Sequence, residues 1–471
     1  MKSPFGRGPE AVTGIQGDLK PGAPGETAAE APQDVDLTAA TGADADALPL
    51  EIMAQSLGEY LRAWWQKLKS GDSGLLPVLV AMVIVAVAFE VLTPENAYLR
   101  PSNLVYIFGL STVYMVLAMG EIAVLLLGEL DLSVGAVALM GGTIAYKLVQ
   151  QPTPNWPWWL AILTSLVCCG VIGFLQGTLV AKLKIPAFVV TLAGQLLFTG
   201  MLVVILGGAD GSLSVSPADP NQSVLYNLVQ GSIDPVVSWV ILAVVVVGFG
   251  TMMWLRASER RRSGLVAPPA SLTAIKIGLM AVVGVVVLII CTVNRGGVFA
   301  TIEGLPWVIP VVIVILGLWT VLLQQTRFGR YVYAIGGNAE AARRAGVSLP
   351  RIRIWCFVLC SATAGFAGIL LGSFYYGQYS TNVGDPGQLV LYSIAAAVIG
   401  GTSLFGGRGK PIHGVLGGLL IGGIAYGVSL MNLGSLSIPL EYILPGVVLL
   451  LAVLVDVLSR RGARTGSVVR V

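Results

Sequence analysis

Beyond Ser73 the chain is a series of long apolar runs joined by short polar connections. Twelve runs have the length a helix needs to cross the hydrocarbon of a bilayer, about 20 residues each. They cover residues 75–92, 104–127, 132–149, 158–181, 186–207, 236–255, 273–293, 306–324, 354–374, 389–404, 412–430 and 440–458. The pattern predicts an all-α polytopic membrane protein of about twelve transmembrane helices, filling residues 74–460. The runs blur at Glu129–Asp131 and at 400–409, inside two Gly-rich stretches, 128–142 and 400–423. Small residues there let helices approach closely or break within the membrane, so some of the helices are expected to be broken. The weak similarity between the two stretches is compatible with an internal duplication.

The front of the chain reads differently. Residues 1–48 are rich in Gly, Pro, Ala and acids and have almost no large apolar side chains, so burial cannot offset their ordering entropy. A disordered tail is expected there. It lacks the basic stretch followed at once by an apolar one that marks a cleaved signal peptide. Over 49–73, Leu50, Met53, Leu57, Leu61, Trp64, Trp65 and Leu68 recur at helical spacing against Glu51, Glu59, Arg62 and Lys67. That predicts an amphipathic cytoplasmic helix, either lying in the membrane surface or packed on the rest of the chain.

Composition supports the membrane reading. Of 471 residues, 55% are hydrophobic and 11% charged, with a mean hydropathy of +0.82. Soluble domains carry about 25% charged residues. Residues 1–73 hold 11 of the 25 acids and 6 of the 28 bases, so the net charge of +3 hides an acidic front and a basic remainder. With the N-terminus inside, 19 of the 22 bases beyond residue 73 fall in inner connections, and only Arg100, Lys147 and Arg295 fall outside. This bias puts both termini in the cytoplasm, the last of them a short tail at 461–471. An aromatic belt, Trp156, Trp158 and Trp159, marks one outer interface, and two longer outer loops run over 208–235 and 375–388. Cys168, Cys169, Cys291, Cys356 and Cys360 sit in or beside apolar runs, with His413 the single histidine, so neither a disulfide framework nor a metal centre is expected.

The longest inner connection, 325–353, contains Glu340-Ala341-Ala342, three further residues, then Gly346. Residues 339–345 should form a short helix closed by Gly346 in a left-handed conformation. Glu340 falls in its first turn, where the carboxylate faces unpaired backbone donors. Such a helix outside the bilayer suits a lever that docks on a soluble partner; taken alone, it could be an ordinary basic loop. Acids inside membrane spans are costly and mark candidate pathway residues. Glu90, Glu121, Glu129, Asp131 and Asp456 lie in or beside runs, and Ser133 follows the break. Asp131 has a second reading as a helix cap accepting from the backbone at Ser133 or Val134.

Glu340-Ala341-Ala342-x3-Gly346 resembles the coupling motif of ABC importer permeases. Thr326-Arg327-Phe328-Gly329-Arg330, Gly128-Glu129-Leu130-Asp131-Leu132-Ser133-Val134-Gly135, Lys184-Ile185-Pro186-Ala187-Phe188 and Ile399-Gly400-Gly401-Thr402-Ser403 are similar to the monosaccharide (ribose/xylose-type) branch of that family. The resemblance covers about residues 75–460. It implies a ten-helix core, to which the sixth and seventh runs around Arg260-Arg261-Arg262 add a hairpin, as in the longer xylose-type proteins. It also implies a homodimer in membrane lipids, an extracytoplasmic sugar-binding protein and cytoplasmic ABC ATPase subunits. Coupling to the ATPase then falls to Glu340, Ala341, Ala342 and Gly346. The substrate pathway falls near Glu121, Glu129, Asp131 and Ser133. The chain departs from the family at Gln388 to Tyr392, where an acidic pair is usual, and at Thr199, where an Arg is common. The cargo therefore stays open between a xylose-like sugar and a nucleoside, polyol or other small polar solute. The sequence contains no Gly-x-x-x-x-Gly-Lys-Ser/Thr loop and no catalytic constellation, so it is read as a transport subunit without cofactors, not an enzyme or a nucleic-acid binder. An ion-coupled secondary sugar carrier is the rival from another class.

Overall fold

A computed structural model describes residues 58, 62, 74–152, 154–208, 210–263, 269–295 and 302–466, with side chains as far as Leu454. The expected tail 1–48, nearly all of the expected helix 49–73, the side chain of Asp456 and residues 467–471 lie outside that set.

Each of the twelve apolar runs is a helix, and three short helices fall between them. In chain order they are α1 (Leu76–Leu92), α2 (Pro101–Leu125), α3 (Val134–Val149), α4 (Trp158–Lys182), α5 (Ala187–Leu206), α6 (Ser223–Gln230), α7 (Pro235–Arg262) and α8 (Ala270–Thr292). Then follow α9 (Val308–Gln325), α10 (Arg327–Gly337), α11 (Ala339–Arg344), α12 (Leu349–Phe374), α13 (Pro386–Ile399), α14 (Pro411–Leu430) and α15 (Ser437–Gly466). Pro101, Pro235, Pro386 and Pro411 open their helices, where the missing N–H has no intrahelical acceptor to lose. Helix α15 runs to Gly466, so the first part of the expected tail 461–471 is helical.

Among the described residues nine helices are long and apolar enough to cross a membrane, and α1, α3 and α13 are shorter. The 14 residues of α13 rise roughly 21 Å at about 1.5 Å each, well short of a bilayer core. The chain adjoining α3 and α13, residues 126–133 and 400–410, is non-helical. These are the breaks expected from the two Gly-rich stretches.

Helix α2 is the hub. Its apolar stretch is 89% buried, inside α12, α13 and α14. By contrast, α7 and α8 bury only 11% of theirs and pack chiefly on each other. Exposed leucines and valines on α5, α7, α8 and α15 are surface that only a bilayer or another apolar partner can cover. The hairpin is fastened at one end, where Leu288, Cys291 and Leu305 cluster and the Leu305 N–H donates to Ser238 Oγ at 3.0 Å.

That same end carries a feature the sequence did not disclose. The two longer loops expected over 208–235 and 375–388 pair with each other. Strand β1 (Ser212–Ser214) lies antiparallel to β4 (Gln378–Ser380), with Leu213 opposite Tyr379. Strands β2 (Ser232–Ile233) and β3 (Leu305–Pro306) form a second ribbon. Strands of two or three residues have no periodicity to detect. Their register is set by Leu213 and Tyr379, both buried against the helices.

Helices α3, α4 and α12 approach through small residues. A Cβ at Gly368 on α12 would stand 1.7 Å from the Ala138 carbonyl oxygen of α3. Gly368→Val should therefore force the helices apart and lower stability by at least about 1–3 kcal/mol, the usual cost of overpacking. Gly278→Ala on α8, where a Cβ meets nothing within 4 Å, should leave the melting temperature in detergent unchanged. Equal melting of both variants would show that the α3–α12 contact is loose.

Candidate functional site

The first break begins where α2 runs out at Leu125 and must find partners for backbone groups that the helix no longer serves. Glu121, one turn inside α2, is fully buried, and its Oε1 accepts from the Asp131 N–H at 3.0 Å. Its other oxygen is 3.6 Å from the Cys360 thiol of α12, which donates to it. Asp131, also fully buried, turns Oδ1 onto Ser133, accepting from its N–H at 2.9 Å and its hydroxyl at 2.6 Å. Asp131 thus makes the bond to the Ser133 backbone that its cap reading named, although Ser133 itself holds the N-cap position of α3, and Asp131 Oδ2 has no partner. Gln176 of α4 closes the set, its Nε2 donating to Ser133 Oγ at 2.9 Å. Four polar side chains, from two helices and the break itself, hold one non-helical turn in an apolar interior.

Glu129 stands apart from this group. It lies 3.0 Å from Arg353, the fifth residue of α12, at the end of the bundle that carries the 325–353 connection.

That connection contains two helices where one was expected. Thr326 caps α10, accepting from the Gly329 N–H, and Val332 and Ile335 are buried on its inner face. Asn338 caps α11, accepting from the Ala341 N–H at 3.0 Å. Gly346 ends it with φ +82°, its N–H bonded to the Arg343 carbonyl, while the Val347 N–H reaches Ala342. Gly346 therefore occupies the closing position expected of it. Glu340 does not meet backbone donors. Asn338 already serves Ala341, so the Glu340 carboxylate takes Arg343 (2.7 and 2.9 Å) and Arg344 (3.1 Å) one turn on. The Arg343 and then the Arg344 guanidinium hold its carboxyl below the usual carboxylate range. Ala342 faces inward, and Glu340, Ala341, Arg343, Arg344 and Gly346 face out.

The structure places the candidate residues in two sets. Glu121, Asp131 and Ser133 meet inside the bundle; Glu340, Ala341, Ala342 and Gly346 form the outer helix. The link between the sets is α10, which packs under both breaks. The Gly336 backbone lies against the Leu126 carbonyl and Gly407, and the Tyr333 hydroxyl donates to the Gly409 carbonyl at 2.6 Å. The sequence reading missed Gln176, Tyr333 and Arg353 as site residues. Gln176 had a signal, a lone amide within an apolar run. Arg353 was counted only as one of the inner bases.

Apolar helices separated by non-helical breaks, the first of them braced by buried polar side chains, with a capped helical unit projecting beneath them, define a multi-pass membrane protein organised to pass a solute. A family model described as the permease component of the branched-chain amino acid transport system matches residues 103–453, and the chain belongs to that family. It is 32% identical to the xylose transport system permease protein XylH of Escherichia coli (strain K12), over 82% of this chain and 92% of that one. The XylH of Haemophilus influenzae is 31% identical, over 84% and 99%. The ribose import permease protein RbsC of Escherichia coli (strain K12) is 27% identical, over 84% and 95%. No solved structure matches. The chain is thus a transport component and not an enzyme.

Two measurements test the outer helix. Asn338→Ala should cost α11 about 1 kcal/mol of cap energy and raise amide exchange at 341–347. A carboxyl held low when folded contributes above its ordinary pKa and loses that contribution as pH falls through the depressed value. Exchange in α11 should therefore stay slow through the usual carboxylate range and rise only below it. A rise already centred at the ordinary glutamate value would show that the arginine contacts are absent in solution.

Proposed function

We propose that the chain is the membrane-spanning subunit of an ATP-driven importer and moves a monosaccharide, a xylose-like sugar first among candidates, across the cytoplasmic membrane by alternating access. The observation that carries this reading is the α10–α11 unit, a doubly capped pair of helices outside the apolar runs whose inner face packs against both breaks. A unit so placed can turn a push from a soluble partner into movement of non-helical chain at membrane depth. An ion-coupled carrier has no need of it.

The rest follows from charge and kinship. Placing the inner bases in the cytoplasm puts 325–353 there with both termini, and leaves the β ribbons outside to meet a sugar-binding protein. Residues 74–460 form the transmembrane domain. Two copies side by side, sheathed in lipid, offer a pair of ATPase subunits one loop each. Glu340, Ala341 and Gly346 form the docked surface, and Ala342, buried beneath them, anchors it to the bundle. Glu121, Glu129, Asp131 and Ser133 frame the segment that reshapes as the pathway opens. The sugar assignment draws on the xylose and ribose transport names of relatives that align over more than four-fifths of the chain.

In liposomes containing the chain, its ATPase partner and its binding protein, sugar should stimulate hydrolysis and enter the lumen, while the chain alone should hydrolyse no ATP. Gly346→Val, which forces a side chain into the left-handed region, and Glu340→Lys should each abolish co-purification with the ATPase or sugar-stimulated hydrolysis, with membrane insertion unchanged. Normal stimulation and uptake in both variants would make the loop a passive connection. A thermal-shift screen of the binding protein against pentoses, nucleosides, polyols and amino acids decides the cargo; a response confined to a non-sugar would overturn the sugar assignment.

A further inference from the structure

The 325–353 connection grips the bundle at three points. Gly336 in α10 is pressed so closely on the first break that a Cβ there would stand 1.8 Å from the Leu126 carbonyl oxygen and 2.6 Å from the Gly407 nitrogen. Tyr333 holds the second break through the Gly409 carbonyl. The third grip is Arg353 on Glu129, where α12 begins.

The first two are complete backbone or hydroxyl contacts. The third is not. Arg353 Nε is 3.0 Å from Glu129 Oε1, yet it makes no hydrogen bond, and Glu129 Oε2 is buried with no partner. A guanidinium presents a planar fork that bonds both oxygens of a carboxylate when the two are aligned. Leaving buried charged atoms unpaired is costly. An ion pair at contact distance but out of alignment is therefore a pair displaced from its own optimum. Small rotation of the start of α12, or of the 126–133 segment, would complete it. Both segments flank the connection that Gly336 and Tyr333 fasten to the breaks.

We propose that Glu129 and Arg353 are a state-dependent latch. They are misaligned in this conformation and close into a bidentate pair when the connection shifts, so that its displacement is drawn into the first break. Both are positioning residues that act through the break and do not touch the sugar. The proposal rests on the importer reading above and assigns it a transmission element.

The test uses the full transporter in liposomes, with partner ATPase and binding protein. Glu129→Gln and Arg353→Gln should each assemble normally and retain hydrolysis, while uptake per ATP consumed falls about tenfold, a coupling loss of ordinary size. The double exchange Glu129→Arg with Arg353→Glu restores the pair with its charges reversed and should recover uptake to within about threefold of the wild type. A purely structural role would lower assembly, hydrolysis and uptake together in the single variants. Single variants with wild-type coupling, or a double variant no better than the singles, would overturn the latch. Should the exchanged pair fail to insert, Glu129→Cys with Arg353→Cys decides. A short bifunctional thiol reagent should join them several-fold faster in either the nucleotide-free or the vanadate-trapped state than in the other, and equal rates overturn the proposal. The importer reading fails at assembly with the ATPase; the latch fails with assembly intact, so the two failures are separable.

Discussion

A backbone carbonyl with no helix to serve it sets the terms for this fold. Leu126 lies just past the end of α2, in an interior where an unpaired polar group costs several kcal/mol and water is excluded. Its oxygen accepts from the Gly407 N–H at 2.9 Å, a donor supplied by the other break. Neither break could stand alone at that depth. Each supplies what the other lacks, and Gly336 closes over the junction. The shortness of α3 and α13 and the position of α10 against both breaks go with bringing the two segments together.

The polar side chains in the interior serve the same need. Glu121, Asp131, Ser133 and Gln176 would be expensive passengers in a continuous helix. Around a break they are substitutes for the missing ladder, and the Asp131 N–H, freed by the break, is taken by Glu121. The outer helix α11 follows the opposite logic. Its caps are local, its charged face is open, and only Ala342 is committed inward. One part of the molecule is braced so that it has few alternatives, and the other is left available to a partner.

Much of this was legible in the sequence because the signals are local. A membrane-spanning run is defined by its own length, the Asp131 cap reaches two residues, and Gly346 needs only its own dihedral. What stayed hidden depends on distant chain. Nothing near Glu121 says that it will meet Asp131 across a break, and nothing in 126–133 says that 400–410 will lie against it. Glu340 shows how local reasoning goes astray. Asn338 was the better cap, and once it held the Ala341 donor, Arg343 and Arg344 were the nearest charges left. Helix α10 was overlooked because its buried face is only Gly329, Val332 and Ile335, wide enough to pack but too short for a period to emerge.

The outer ribbon has a consequence for how the chain is made. Ser212 and Ser380 are direct partners in it, with the whole α7–α8 hairpin, α9, the inner connection and α12 between them in sequence. A ribosome delivers residues in order at roughly 5–20 per second. The edge of β1 therefore waits unpaired until some 166 further residues have been synthesised and four more spans inserted. The short length of β1 and the serines at both its ends make that wait tolerable, since a long apolar edge left open would invite a neighbouring nascent chain to pair with it. This ribbon is closed only when the two halves of the permease have both arrived.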